Sequence, residues 1–201
     1  MAAVAILGVV AGVIAIVFAV WMALWATGIY KKALQRTEGA SGAKPVTKSK
    51  LKAMLLRLNK PKHPFTLKPA KDTDLFVEWK IVDAKWIEVL GGAWLKKNYY
   101  GWLLLDDATK TARMNEMITE KSLTLAGPGA YGEASFFRGV QLFRKERGYR
   151  WGIRTDGTIG EVYNYRFNPM QLKEVLRQVC NDNGWAFELV TTKGQASFPK
   201  R

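Results

Sequence analysis

Cysteine and histidine are nearly missing from this sequence, which has one of each, Cys180 and His63. A lone cysteine cannot close an internal disulfide, which excludes a disulfide-stapled secreted scaffold. A lone histidine excludes a multi-histidine metal centre within one chain. Acidic residues are also few, 17 against 31 Lys and Arg, giving a formal net charge of +14. Partners of the basic part are therefore expected to be anionic. Charge of either sign is absent from the first thirty residues. Apolar residues, by contrast, make up 48% of the 201. That excludes disorder throughout and allows one ordinary domain plus an extra segment.

Residues 1–30 read MAAVAILGVVAGVIAIVFAVWMALWATGIY. A bilayer core needs about 20 apolar residues, so the run predicts a single transmembrane helix. It is too long for a signal peptide and lacks the basic residues that precede one. Lys31, Lys32 and Arg36 follow at once, and basic flanks stay on the cytoplasmic side. The chain is thus expected in the cell (inner) membrane, N-terminus outside and the remainder cytoplasmic. Trp21, Trp25 and Tyr30 sit near the same end and are assigned to the interface with those three basic residues. Gly8 and Gly12 form a G-x-x-x-G, with Ala11, Ala15, Ala19 and Ala23 at spacing four. Such a row lets another transmembrane helix, of the same or a different protein, approach closely. Chance rows of small residues in a solitary anchor are the alternative.

Residues 31–71 contain twelve basic residues and one acid, Glu38, so the segment carries +11. It is read as a polybasic juxtamembrane connector drawn to a bilayer with anionic headgroups. Within it, Leu51, Met54, Leu55 and Leu58 recur at helical spacing, and Pro61 and Pro64 end the helix. Two readings are open: a basic amphipathic helix lying on lipid, or one packing its leucines on the following domain. Lys48, Lys50, Lys52, Arg57, Lys60 and Lys62 are the connector's candidates for an anionic surface. His63, between prolines, reads as an exposed linker residue.

Residues 72–192 change to short aromatic and β-branched runs, and 193–201 read as a polar tail. Strands are predicted over 74–81, 99–105, 111–119, 133–144, 149–154, 159–167 and 185–191. Residues 122–125 extend or follow the third. Asp83 is expected to cap a helical turn over 84–90, and 127–132 to form a loop. Asp156-Gly157 marks a hairpin, because such a pair accommodates positive backbone angles. Asn168 caps a helix with Pro169 at its first position; Leu172, Val175, Leu176 and Val179 form its buried stripe. The fold class is therefore α+β, a transmembrane helix followed by a mainly antiparallel sheet with one C-terminal helix packed on it. Trp79, Trp86, Trp94, Trp102, Trp151 and Trp185 are assigned to the core, with Tyr149, Trp151 and Ile153 on one side of their strand.

A second basic cluster, Arg138, Arg144, Lys145, Arg147, Arg150 and Arg154, carries +5 with Glu146 and is the sheet's candidate for anionic lipid or an acidic partner. Nucleic acid ranks last. Residues 127–132 spell G-x-G-x-x-G, but between strands the glycines serve a turn better than a dinucleotide. Cys180 has no histidine near it in sequence, so no catalytic residue, metal ligand or cofactor is assigned. These features lead to a non-catalytic accessory or scaffolding subunit of a membrane complex. A tethered module for lipid headgroups or a small ligand comes second, and a carboxylate-based enzyme third.

Overall fold

Three long strands carry the fold. The computed structural model describes residues 15–28, 34–61, 63–88, 91–126, 129–141 and 144–199, and the chain divides into units 1–35 and 36–201. In the first unit, 15–28 is helical, with every described residue exposed. Among the described residues no helix is long and apolar enough to cross a membrane. Ala15, Ala19 and Ala23 lie on it, as do Trp21 and Trp25. Gly8, Ala11, Gly12, Tyr30, Lys31 and Lys32 lie outside the described residues.

The second unit contains helix α1 (Lys48–Leu56), strands β1 (Thr66–Pro69), β2 (Leu75–Glu88), β3 (Gly91–Asp106), β4 (Thr111–Ala126), β5 (Gly129–Arg138), β6 (Glu146–Arg154) and β7 (Ile159–Phe167), helix α2 (Pro169–Asp182) and strand β8 (Ala186–Leu189). The order β5-β4-β3-β2-β6-β7 is antiparallel throughout; β1 adds to β2, and β8 adds to β4 in parallel. This is a mostly antiparallel sheet with a C-terminal helix packed on it, an α+β arrangement. The parallel β4–β8 pair is the one departure among the described strands, made possible because α2 intervenes and returns the chain in the same direction.

Several elements differ from the sequence reading. No helical turn forms over 84–88, the described part of 84–90: β2 runs on to Glu88, paired residue by residue with β3. A bulge between Lys80 and Val82 interrupts the alternation there, so the period seen over 74–81 is not the one that follows. Residues 129–132, read as part of a loop, pair with 123–126 and begin β5. That strand stops at Arg138 rather than 144, where Gly139 takes a left-handed φ of +111° and donates to Glu116 O. The last strand is limited to Ala186–Leu189.

Residues 36–71 do not form a separate connector. Thr37 exchanges backbone hydrogen bonds with Phe187, Ala40 N donates to Asn181 O, and Val46 accepts from the Trp185 indole at 2.8 Å. Thr47 caps α1, whose Leu51 and Leu55 are fully buried. Of the two readings of this helix, the structure therefore adopts the one that packs leucines on the domain. Each such burial is worth about 1.5–3 kcal/mol, which offsets the cost of ordering a lysine-rich segment. Asn168 accepts from Met170 N at the start of α2, and Leu172, Leu176 and Cys180 are buried along it, with Val175 and Val179 half-buried. Residues 193–196 form a 3-10 turn whose Ala196 joins Phe76, Tyr100, Trp102, Met117 and Val190 on the opposite face of the sheet.

Candidate interaction surface

The register of β2, β3 and β4 sorts their side chains onto two faces. One carries Val77, Trp79, Tyr99, Leu103, Met114 and Ile118, all buried. Three charged residues share that face, because Lys97, Glu116 and Glu120 stand in phase with the apolar ones. Glu116 and Lys173 of α2 are each completely buried and lie 2.9 Å apart. The Glu116 carboxylate also accepts from Tyr99 Oη at 2.6 Å and Gln141 N at 2.6 Å, while Lys173 donates to Gln141 O at 2.7 Å. Burial, and then the adjacent Glu116 charge, push the Tyr99 hydroxyl well above its ordinary value.

A second cluster lies alongside. Lys97 bridges Glu120, at 2.8 Å, and Glu146, which also pairs with Arg144. Burial raises the Glu146 carboxyl, but bonds from Lys97 and Arg144 outweigh it and leave the group below its ordinary range. Burial lowers Lys97, and its bonds to Glu120 and Glu146 more than reverse this, so it sits above its ordinary value. These charges bond to one another, which makes them struts between the sheet, α2, and residues 139–141 and 144–146.

The β6–β7 hairpin reverses one assignment. Gly148 and Gly152 lie on its inward side with Glu146 and Arg150, so Tyr149, Trp151 and Ile153 face out. Trp151 is 60 % exposed and is not core. The physical reason is close approach: a Cβ at Gly148 would fall 2.3 Å from the Tyr165 ring. Trp79, Trp102 and Trp185 are buried as assigned, and Trp94 is half-buried; the Trp86 side chain lies outside the described residues. Strand β5 is equally open. Tyr131 and Phe136 are each 71 % exposed, Phe137 is also exposed, and among the described residues β5 pairs with β4 alone.

The basic residues assigned to an anionic surface do not form one set. Lys48 holds the buried Asp74 carboxylate at 2.8 Å. Arg144 is committed to Glu146, Arg154 donates to Glu161 O, and Arg138 lies over the Phe136 ring. Arg36 pairs with Glu38. Lys50, Arg57, Lys60, Lys145 and Arg147 are exposed, Lys52 and Arg150 are half-buried, and Lys62 lies outside the described residues. Cys180 is buried, and its thiol is pushed up to about 12 by desolvation. Sequence reasoning missed Glu116, Lys97 and Lys173. The signal for Glu116 was present, a carboxylate at the same parity as Ala112, Met114 and Ile118. Comparison with known proteins finds no similar family model, curated protein or solved structure.

Proposed function

We propose that this chain is a non-catalytic accessory or scaffolding subunit of a membrane complex. Its apolar run 1–30 spans the bilayer with the N-terminus outside, and the unit 36–201 is cytoplasmic. The observation that carries the scaffolding role is β5, a ten-residue strand that exposes Tyr131, Phe136 and Phe137 and whose outer backbone edge has no strand partner among the described residues. Natural edge strands of this length are normally blunted by charge, proline or a covering element. Here Glu133 and Arg138 are the strand's two charges, and the exposed aromatic rings between and beside them fit pairing with a strand of another chain. The partner is a different protein with an acidic rim. Two copies of a +14 chain repel each other, and the exposed Arg138 at the end of β5 can meet a carboxylate. The buried Glu116–Lys173 pair serves as a strut in this reading rather than as an acid–base couple.

A photo-crosslinking residue placed at Tyr131 in cells tests the proposal. The expected result is one discrete adduct with a membrane-associated, acidic-surfaced protein, lost when Phe136→Glu and Phe137→Glu are added. Adducts with the chain's own copies alone, or none, would refute the heterologous scaffold. Digestion of 36–201 by protease added outside intact cells would refute the orientation.

A further inference from the structure

The opposite face of the sheet holds a feature that the scaffolding role does not use. Between β3 and β4, Trp94, Lys96, Asn98, Tyr100, Thr119 and Lys121 line a concavity of about 290 Å³. Asn98 is only 5 % exposed, and among the described residues its Oδ1 has no hydrogen-bond partner. A buried amide oxygen left unsatisfied is costly, so one that faces a concavity points to an occupant that donates to it.

The surrounding side chains define that occupant. Lys121 makes no ion pair among the described residues, whereas Lys96 lies 3.7 Å from Asp83. Asp83 also accepts from Trp94 Nε1 at 3.2 Å, which fixes the indole beside the concavity. Tyr100 is held in turn by stacking on Phe76 at 5.6 Å. With Asp83 offsetting one lysine, the site retains a single net positive charge. Water alone at Asn98 would leave both ammoniums hydrated and give no preference for an ester over inorganic phosphate. The concavity thus offers cations for an anion, an acceptor for a hydroxyl, and two aromatic walls for a small aliphatic body.

We propose that this concavity binds a phosphate ester that carries free hydroxyl groups, with the phosphate between Lys96 and Lys121 and a hydroxyl donating to Asn98 Oδ1. An anionic polyol lipid headgroup and a soluble polyol phosphate share this chemistry. The site flanks β5, since Thr119 and Lys121 pair with Phe136 and Ala134, but the two tests substitute different residues, so either proposal can fail without the other.

Calorimetric titration of the full chain in non-ionic detergent, with sn-glycerol 3-phosphate, inorganic phosphate and glycerol, tests it. The ester is expected to bind about tenfold more tightly than inorganic phosphate, the difference being the bond to Asn98. Lys121→Glu weakens the ester by about tenfold or more, and Lys121→Arg retains it. Asn98→Leu removes the preference for the ester while leaving Tm unchanged or raised, an outcome that a purely structural asparagine would not give. Lys121 is exposed, so its variants carry the test even if Asn98→Leu does not fold. Nanodiscs with phosphatidylglycerol or phosphatidylserine at equal charge separate the sources. A phosphatidylglycerol preference abolished by Lys121→Glu identifies a lipid, and soluble binding without that preference identifies a free ester. No binding of the ester in either form, or binding unchanged in both Lys121→Glu and Asn98→Leu, would overturn the proposal.

Discussion

Replacing Lys173 by methionine tests whether the buried network holds α2 to the sheet. The lysine and its partner Glu116 are both completely buried, at 2.9 Å. Lys173→Met leaves the carboxylate with its bonds from Tyr99 and Gln141 but without its cation. Removing one member of such a pair costs about 3–5 kcal/mol, because the other charge stays buried and uncompensated. Glu116→Gln leaves the buried ammonium without its counter-charge, with Gln141 O and the introduced amide oxygen as neutral acceptors, and belongs in the same range. The double variant is different. A neutral amide at 116 still accepts one of the two donors, so about 1–3 kcal/mol is lost, the cost of the other. The two changes should therefore be strongly non-additive, with the double variant more stable than either single one. Urea unfolding of the full chain followed by tryptophan fluorescence reads all four proteins, since Trp79 and Trp185 are buried. A Lys173→Met protein within about 1 kcal/mol of the parent, or a double variant less stable than both singles, would refute this account.

Two further outcomes follow from the titrating groups. Because the folded-state value of Glu146 is depressed, its contribution to stability is complete above the ordinary glutamate value of 4.5. It is lost as pH falls through the lower folded value. Glu146→Gln should flatten the dependence of the urea midpoint on pH in that acidic window, and an unchanged slope would count against the Lys97–Glu146–Arg144 cluster. Cys180, buried with its thiol pushed up to about 12, should resist iodoacetamide at neutral pH and react only on unfolding; rapid labelling of the native protein would show that α2 is not seated as described.

The elements that local chemistry specifies were legible in the sequence. Asp156-Gly157 turns the β6–β7 hairpin, with Gly157 at φ +84° and Asp156 accepting from Thr158 N, and Asn168-Pro169 starts α2. What escaped depends on partners distant in sequence. The bulge at Ile81 restarts the alternation of β2, and only pairing with β3 reveals it. The outward turn of Trp151 is set by glycines on the other side of its strand, which look unremarkable in a hydrophobic pattern. Lys173 follows Leu172 in the helix and reads as solvated until Glu116 arrives from β4. Asn98 resembles any polar strand residue, and its missing partner is visible only in three dimensions.

The stitch between Thr37 and Phe187 also orders events in time. The two residues are 150 positions apart, and Ala40 and Val46 likewise wait for Asn181 and Asn183. A ribosome adding about 5–20 residues per second makes the second half of that contact roughly 8–30 s after the first. Until then Leu51 and Leu55 can cover only β1 and β3, because α2, on which α1 also packs, is not yet made. Completion of this unit is thus a late event, closed by its final strand.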